Sequence, residues 1–434
     1  MKTKKPHLLG VPLEYQLDQA GEQSPPTALE KELMRLILKG LGDPAIGVTL
    51  WDGEPLSPTQ KGPTMVVRER AALWRLLTHP TLHFGDDYST GRIEIEGGLL
   101  AFLGRAYDAF YSRPKSVVAL QRIADAYRRV RGNPLDQARD NIHHHYDIGN
   151  DFYRLWLDED MVYTCAYFAP GVETLEAAQE AKMEHVCRKL RLTRGETVVE
   201  AGCGWGSLAR YMARHYGVKV RAFNISHEQI AYARDRAKAE GLDGLVEYVE
   251  DDYRNISRNI SRNIGRDRYD VFVSVGMLEH VGVKHYRELG AIINNTLKPD
   301  GRGLIHTIGQ NQPIGTNAWV YQRIFPGGYT PTLREMMDIF EPYDLSVLDV
   351  ENLRLHYART LEHWQQRFEN QLDTVRAMYD ESFVRAWRLY LVGSIVNFTG
   401  GYLQLFQVLF SRPRANTLPV TRDDIYRRGD NESV

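Results

Sequence analysis

Short apolar runs alternate with longer amphipathic stretches from about residue 185 to residue 308, which is the pattern of parallel strands joined by covering helices. A helix is predicted at residues 228–240. Strands are predicted at residues 197–202, 219–223, 246–249, 270–275 and 303–308. This half of the chain is therefore expected to form a doubly wound α/β sheet.

The first 111 residues instead combine short alternating segments with helical ones, as a small α+β domain does. Helices are predicted at residues 29–41 and 69–77, and strands at residues 46–51 and 92–96. The whole chain is predicted to contain three segments: an N-terminal α+β domain at 1–111, a basic helical linker at 112–140 and a larger α/β domain at 141–434.

The linker sequence is basic, and its apolar residues fall on one side of a helix. Residues 112–131 hold six lysines or arginines and one acidic residue. Apolar positions recur at steps of three and four, at Val117, Leu120, Ala124 and Tyr127. Two interpretations stay open: a solvated linker helix, or a helix that lies on a membrane surface.

A second unusual stretch, residues 389–410, carries no charge and is long enough to cross a bilayer, which takes about 20 residues. It also contains paired glycines, Gly400 and Gly401, and several amide and hydroxyl side chains. Polar side chains are costly in hydrocarbon. We therefore expect a buried element of a soluble core and not a membrane span.

Composition excludes several classes of protein. The 434 residues are 43% hydrophobic and 25% charged, which excludes a disordered or fibrous chain. The 54 basic and 56 acidic side chains nearly balance, which argues against a nucleic-acid-binding protein. The three cysteines form no C-x-x-C pair, and the apolar stretch after the basic start is too short for a signal peptide. We therefore expect a cytoplasmic protein.

Candidate chemistry begins at the end of the first strand of the predicted α/β sheet, where Glu200 opens the sequence EAGCGWG. Glycines at such a turn let the backbone approach a ligand closely and direct a helix N-terminus toward it. The turn resembles the nucleoside-binding turn of class I S-adenosylmethionine-dependent methyltransferases, and KPDG at residues 298–301 resembles their second landmark. The resemblance implies a Rossmann-like class I methyltransferase core beside the smaller α+β domain.

Six further segments narrow the resemblance to one family. The chain resembles cyclopropane-fatty-acyl-phospholipid synthases and mycolic acid cyclopropane synthases in the sequences HYDIGNDFY (145–153), YTCAYF (163–168), GMLEHVG (276–282), HTIG (306–309), IFPGG (324–328) and LFQVLF (405–410). The resemblance implies transfer of a methylene carbon from S-adenosylmethionine to the double bond of an unsaturated acyl chain in membrane phospholipid. It also implies a lipid-facing N-terminal domain and a peripheral location on the inner face of the membrane.

The same resemblance implies a bound bicarbonate as the base that takes a proton during ring closure. The positions that match the family's base site are Cys165, Glu279, His306, Ile308 (through its backbone) and Tyr357. Structural roles stay open for three of them: helix capping for Glu279, a hydrogen-bonded core position for His306, and packing for Tyr357. Cys165 is not expected to be a nucleophile, because no step needs a thiolate.

The positions that match the family's cofactor site are Tyr163, Thr164, Gly202, Gly204, Gly206, Gln229, Asp251 and Asp252. Asp251 or Asp252 is expected on the adenine side of S-adenosylmethionine. The choice between them stays open because a tandem repeat, RNISRNISRNIG (254–265), begins directly behind them. No metal is expected, since the adjacent His143, His144 and His145 point in different directions and rarely share one ion.

When the alkene of the acyl chain attacks the methyl group of S-adenosylmethionine, a carbocation-like centre forms on the chain. The faces of aromatic rings can stabilise this positive charge. The aromatic candidates are Tyr146, Tyr153, Tyr163, Tyr167, Phe168, Trp205, Tyr329 and Trp364. Two alternative functions stay open: a related enzyme that makes methyl- or methylene-branched chains, and a non-catalytic lipid-binding relative. The expected partners are unsaturated phospholipid acyl chains at the membrane surface and no nucleic acid, and a homodimer is left open.

Overall fold

The computed structural model describes residues 23–56, 62–112, 148–257, 269–416 and 419–426, which build two β-sheets. The smaller sheet comprises the strands β1 (Gly47–Thr49), β2 (Thr64–Val67) and β3 (Ile93–Glu96). Strand β2 pairs in parallel with β1 and antiparallel with β3. The helices of this region are α1 (Ala28–Gly40), α2 (Arg70–Thr78), α3 (Pro80–Ser89) and α4 (Leu99–Tyr111).

The elements that the sequence predicts for the N-terminal region are present, with boundaries shifted by one or two residues. Helix α1 begins at a capping box: Thr27 Oγ1 accepts the backbone N–H of Glu30, and the Glu30 carboxylate accepts the backbone N–H of Thr27. Strand β2 and helices α3 and α4 have no counterpart among the predicted elements. The domain boundaries stay a prediction, and the linker beyond Ser112 lies outside the described residues.

The larger sheet has seven strands in the order β6-β5-β4-β7-β8-β10-β9. They are β4 (Thr197–Ala201), β5 (Lys219–Asn224), β6 (Val246–Glu250), β7 (Tyr269–Val275), β8 (Leu297–Gly309), β9 (Ser346–Asn352) and β10 (Gln404–Ser411). Neighbouring strands from β6 to β8 are parallel, whereas β10 is antiparallel to both β8 and β9. The predicted Rossmann-like α/β core is confirmed.

Strand β8 begins earlier than the predicted residue 303 because it pairs with β7 in two parts. Tyr269 pairs with Leu297, and the next pair joins Val271 to Arg302, so the KPDG segment at residues 298–301 bulges out of the ladder. The KPDG turn therefore lies inside the strand and not before it.

The helices around the larger sheet are α5 (Asn150–Tyr153), α6 (Leu175–Leu190), α7 (Ser207–Tyr216), α8 (His227–Ala239), α9 (Tyr286–Thr296), α10 (Leu333–Phe340), α11 (Arg354–Asn370), α12 (Leu372–Met378), α13 (Glu381–Thr399) and α14 (Asp423–Tyr426). The uncharged stretch at 389–410 divides between the end of α13 and the fully buried strand β10. Among the helices of the described residues, none is both long and apolar enough to span a membrane.

The order of the strands fixes where a ligand can bind. The chain proceeds outward from β4 through β5 to β6, and then crosses to β7 on the other side of β4. Parallel α/β sheets bind ligands at the carboxyl ends of the two strands that flank such a switch point. The carboxyl ends of β4 and β7 therefore define the expected site.

The N-terminal helices pack on the α/β core. Helices α3 and α4 both contact α13. Arg385 of α13 donates hydrogen bonds to the carbonyl oxygens of Tyr88 and Ile93 and lies 4.4 Å from the centre of the Tyr88 ring. The buried Asp86 of α3 accepts two hydrogen bonds of 3.0 Å from the guanidinium of Arg323. Arg323 lies within a short π-helix, Val320–Ile324. Both contacts join polar groups that the fold removes from water.

Replacing Gly85 by alanine tests this packing. A Cβ atom at Gly85 would overlap the buried indole ring of Trp319, and overpacking of this kind costs about 1–3 kcal/mol. Gly104→Ala in α4 is the matched control, because a Cβ atom there meets no atom within 4 Å. Where the added methyl group meets no other atom, a glycine-to-alanine change inside a helix raises the free energy of unfolding by about 0.5–1 kcal/mol. Urea unfolding is expected to give changes of opposite sign, and equal changes would contradict the packing.

Candidate functional site

The glycine turn after β4 adopts backbone conformations that favour glycine. Gly202, Gly204 and Gly206 have φ values of 83°, 53° and 79°. A Cβ atom on Gly202 would lie 2.8 Å from Cβ of Met277, and one on Gly206 would overlap the ring of Tyr248. Gly202 and Gly206 thus allow the turn to touch the segment after β7 and the strand β6.

The ends of β5 and β6 lie against this turn. The side-chain amide of Asn224 donates to Gln229 Oε1 at 2.7 Å and to the carbonyl oxygen of Gly204 at 3.3 Å. The backbone N–H of Asp251 donates to the carbonyl oxygen of Asn224 at 3.0 Å. Asn224 therefore links Gln229 to the glycine turn, and Asp251 lies beside Asn224.

The two aspartates after β6 differ in their surroundings. Asp252 is buried, and both of its carboxylate oxygens accept hydrogen bonds from the Arg254 guanidinium, at 2.8 and 2.9 Å. Asp251 is half-buried, and its Oδ1 atom accepts from Asn255. Arg254 is the first residue of the tandem repeat, so this repeat holds Asp252 in place. The remaining copies, after Ser257, lie outside the described residues.

The segment that carries Tyr163 and Thr164 reaches the same place from the other side. A Cβ atom on Gly276, which has a φ of 74° directly after β7, would lie 2.9 Å from Cγ2 of Thr164. Tyr163 and Tyr390 share a hydrogen bond of 3.0 Å between their hydroxyls. Thr164 therefore lies beside the loop that follows β7, on the β7 side of the switch point.

Glu279 lies after β7 and faces the end of β8. Its Oε1 atom accepts the backbone N–H of Ile308 at 2.6 Å. Its Oε2 atom is buried and makes no hydrogen bond of standard geometry within the described residues, although the Thr307 hydroxyl also acts on the carboxylate. Burial raises the pKa of Glu279 to about 7, against the lowering effect of the Ile308 hydrogen bond. The backbone of Ile308 thus holds the carboxyl group of Glu279.

His306 lies on β8, two residues before Ile308, and is buried. Its Nδ1 atom lies 3.1 Å from the side-chain amide nitrogen of Gln407 on the neighbouring strand β10. In this orientation of the Gln407 amide, its nitrogen donates to Nδ1, and the proton of the neutral ring is then assigned to Nε2. The Nε2 atom is buried without a partner among the described residues. Burial, assisted by the positive charges of Lys182 and Lys189, lowers the pKa of His306 to about 3.

Cys165 and Tyr357 reach this region through the start of helix α11. The thiol of Cys165 lies 3.9 Å from the carbonyl oxygen of Leu353, and Tyr357 follows Leu353 by one helical turn. The backbone N–H of Leu353 donates to Leu405, which is the β10 partner of Ile308. Burial raises the pKa of the Cys165 thiol, which keeps it protonated. A thiolate nucleophile is therefore not supported.

The aromatic candidates divide into separate groups. The ring of Tyr163 lies within 5.5 Å, centre to centre, of the rings of Tyr153, Trp156 and Trp364. The ring of Trp205 contacts that of Tyr153 at 5.1 Å. These rings enclose the side of Tyr163 that faces the core. Trp156 also belongs to this aromatic cluster, although it is not among the candidates from the sequence. Its position three residues after the HYDIGNDFY sequence is the one feature of the sequence that could have indicated it.

The other aromatic candidates have different neighbours. Tyr167 stacks between the imidazole rings of His185 and His356, at 4.2 and 4.6 Å. Phe168 stacks on His363 at 5.3 Å. Tyr329 donates from its hydroxyl to Glu335 at 2.9 Å, and its backbone N–H donates to the carbonyl oxygen of Glu279. The remaining candidate, Tyr146, lies outside the described residues, as does the histidine triplet 143–145.

Metal ligands are not grouped in this part of the chain. Across the described ranges, no set of three or more His, Cys, Asp or Glu side chains could hold a metal ion. The site instead contains two buried polar atoms, Glu279 Oε2 and His306 Nε2, that make no hydrogen bond of standard geometry within the described residues.

Comparison with known proteins gives a consistent result. The family model described as "Mycolic acid cyclopropane synthetase" matches residues 134–408. A probable fatty acid methyltransferase from Pseudomonas putida is 37% identical over 395 residues, which cover 87% of this chain and 95% of that protein. The cyclopropane-fatty-acyl-phospholipid synthase of Escherichia coli K12 is 39% identical over 279 residues, or 64% of this chain and 69% of that protein. The crystal structure of mycolic acid cyclopropane synthase CmaA1 complexed with SAH and CTAB aligns with a TM-score of 0.57 and 27% identity, over 63% of this chain and 98% of that one.

The buried neutral imidazole of His306 gives a prediction about acid stability. Its pKa is about 3 in the folded state and 6.5 in an ordinary environment, so only the unfolded chain binds the proton between these values. The free energy of unfolding should therefore fall below pH 6.5, by roughly 2 kcal/mol at pH 5 from this residue alone. His306→Gln should lose less stability than the wild type between pH 7 and pH 5, as measured by urea unfolding. The exposed His215→Gln is the control, and equal losses in both variants would contradict the assignment.

Proposed function

The chain belongs to the mycolic acid cyclopropane synthetase family, and we propose that it is a cyclopropane-fatty-acyl-phospholipid synthase. Membership makes it an S-adenosylmethionine-dependent methyltransferase of a family that acts on lipids. The proposed reaction transfers a methylene carbon from S-adenosylmethionine to the double bond of an unsaturated acyl chain in phospholipid. The observation that carries the proposal is that two buried atoms of the matching base-site residues, Glu279 Oε2 and His306 Nε2, make no hydrogen bond of standard geometry within the described residues.

The glycine turn, together with Tyr163, Thr164, Gln229 and Asp251, is proposed to hold the methyl donor. When bound, S-adenosylmethionine supplies a methyl carbon that is electrophilic because it is attached to a positively charged sulfur. Gly202 and Gly206 let the turn pack against Met277 and Tyr248, and Asn224 is proposed to hold Gln229 at the ribose side. Asp251 is proposed on the adenine side, because both oxygens of Asp252 are occupied by Arg254.

The base site is proposed to fit bicarbonate. When bound, bicarbonate supplies a base for the proton that must be lost as the ring closes. Bicarbonate has both an acceptor oxygen and a hydroxyl, which complement the Nε2–H group of His306 and the Oε2 atom of Glu279. Ile308 contributes by orienting Glu279 through its backbone N–H, and Cys165 and Tyr357 are proposed to border the site near the start of α11.

The surrounding rings are proposed to protect the reacting acyl chain. An isolated alkene is a weak nucleophile, so the reaction needs close positioning and the exclusion of water. The buried aromatic cluster around Tyr163 is proposed to form a surface that excludes water, and its ring faces can stabilise positive charge on the acyl chain. Neither contribution requires an ionised side chain.

A second candidate is a related enzyme that makes branched acyl chains. The fatty acid methyltransferase relative aligns over 87% of this chain, whereas the cyclopropane synthase relative aligns over 64%. After methyl transfer, a 1,2-hydride shift moves the positive charge to the methyl-bearing carbon, and loss of a methyl proton then gives a methylene-branched chain, which is an isomer of the cyclopropane. A saturated methyl branch needs two more hydrogens from a reductant, so the chain acting alone would form the ring or the methylene branch.

We further propose that the enzyme acts at a membrane surface, on the cytoplasmic side, because its proposed substrate is a membrane lipid. The basic stretch at residues 113–131 supports this location through its sequence, although it lies outside the described residues. Sedimentation with anionic vesicles measures it, and binding that is insensitive to salt and to the change of Arg128, Arg129 and Arg131 to Gln would contradict it.

Product analysis tests the proposed function. The purified enzyme is incubated with S-adenosylmethionine and vesicles of a monounsaturated phospholipid, and the lipids are analysed by mass spectrometry and proton NMR. The expected product carries one additional CH₂ and shows the upfield ring protons of a cyclopropane. A product of the same mass with vinylic methylene protons would support the branching enzyme instead, and unmodified lipid would support the non-catalytic relative.

Glu279→Gln tests the base site. The substitution preserves the shape of the side chain but removes its charge, so it should disturb the group that orients the base. Turnover is expected to fall by roughly 10²–10⁴-fold, as in the loss of general-base catalysis. Calorimetric affinity for S-adenosylmethionine should change little, because Glu279 follows β7 and the glycine turn follows β4.

The exposed Glu288→Gln, on α9 near the same loop, is the matched control and should retain wild-type turnover. The assigned role would be wrong if Glu279→Gln kept full turnover, or if it lost cofactor binding while remaining folded.

A further inference from the structure

We propose that Lys182 is a positioning residue for the cofactor site: its ammonium group holds the hydroxyl of Thr164 so that residues 163–165 face the switch point. Lys182 lies in α6 and is 2% exposed. Its Nζ atom donates to Thr164 Oγ1 at 3.0 Å. The proposal rests on the placement of Thr164 in the proposed cofactor site, and it assigns a role to a residue outside the motifs of that site.

Two residues of α6 anchor Thr164 by different groups. Gln179, one turn before Lys182, donates from its amide to the backbone carbonyl oxygen of Thr164 at 2.9 Å. Lys182 binds the side-chain oxygen of the same residue. With both its main chain and its hydroxyl bound to one rigid helix, Thr164 has a fixed position relative to the sheet.

The position of Thr164 matters because it lies between the two halves of the site. Its methyl group packs against Gly276, three residues before Glu279, where a Cβ atom would come within 2.9 Å. The next residue, Cys165, belongs to the proposed base site, and the preceding Tyr163 belongs to the aromatic cluster. A displacement of Thr164 would therefore move groups on the cofactor side and on the base side together.

A buried lysine at position 182 is energetically unfavourable if it serves only to fill space in the core. Transfer of an ammonium group out of water is unfavourable unless other groups compensate for it. Within the described residues, no carboxylate lies within ion-pair distance of Lys182, although the negative charges of Asp158 and Glu200 act on it at longer range. Burial lowers the pKa of Lys182 to about 8, so the group remains charged at neutral pH.

The charge also has a local electrostatic effect. Glu200 is the last acidic residue before the glycine turn, and burial raises its pKa to about 7, while Lys182 and Arg210 lower it. Lys182 thus favours the ionised form of a carboxylate next to the turn that is proposed to bind a positively charged donor. Removal of Lys182 would favour the protonated form of Glu200.

Lys189 provides a matched comparison on the same helix. It lies two turns after Lys182 and is 1% exposed, so the two lysines are equally buried. Its Nζ atom forms an ion pair of 2.5 Å with Glu351 of β9, far along the helix from Thr164. Lys189 therefore has the compensated environment of an ordinary structural ion pair, which Lys182 lacks.

A double-mutant cycle on the full-length enzyme tests the proposal, with S-adenosylmethionine affinity measured by calorimetry. Lys182→Met and Thr164→Val each remove one partner of the hydrogen bond and are expected to weaken binding by about tenfold or more. Both substitutions act through the same contact. The double variant should therefore bind S-adenosylmethionine no more weakly than the single variant with the lower affinity. Thr164→Ser, which retains the hydroxyl, should recover most of the affinity lost in Thr164→Val, and Lys189→Met should bind as the wild type does.

Wild-type affinity in folded Lys182→Met, or additive losses in the double variant, would overturn the proposal. If Lys182→Met does not fold, hydrogen exchange of the amides at residues 164–166 decides: these amides should exchange faster in Thr164→Val than in Thr164→Ser, and equal rates would overturn it. Failure of the wild type to bind S-adenosylmethionine would refute the proposed function itself, which separates the two questions.

Discussion

The close approach of three chain segments at the switch point of the sheet is the constraint on which the site depends. Gly202 lies against Met277, and Gly276 lies against Thr164, at separations that a side chain on either glycine would violate. Both glycines also have positive φ values, at which other residues are strained. These two contacts bring the turn after β4, the loop after β7 and residues 163–165 to one place. The residues proposed to bind the cofactor and the base can therefore act on the same reacting carbon.

Burial then determines the charges within this place. Desolvation favours the neutral form of every titratable group, so it raises the pKa of Glu279 and lowers that of His306. The two residues thus offer an acceptor and a donor without a large net charge, which suits the proposed hydrogen-bonded base in a site that is also proposed to admit an apolar chain. Lys182 of helix α6 remains charged at neutral pH, and its positive charge contributes to the low pKa of His306.

Local sequence signals predicted the elements that form this site. The apolar run at 197–202 and the glycines after it predicted β4 and its turn, and resemblance to a family grouped Glu279, His306 and Ile308 in one base site. Long-range packing could not be predicted in the same way. Nothing in the local pattern of residues 80–111 indicates that α3 and α4 cover α13, or that Asp86 pairs with Arg323, since these contacts join residues more than 200 positions apart.

Lys182 shows the same limit at the site itself, because a lysine in a helical stretch is usually solvent-exposed and only the tertiary structure reveals its burial. A crystal structure of the enzyme with S-adenosylhomocysteine and bicarbonate tests the central claim most directly. The account predicts the ligand's amino-acid end between the glycine turn and Thr164, and a carbonate-shaped density within hydrogen-bond distance of Glu279 and His306. A nucleoside bound away from the β4–β7 switch point, or a planar anion held by other residues, would contradict it.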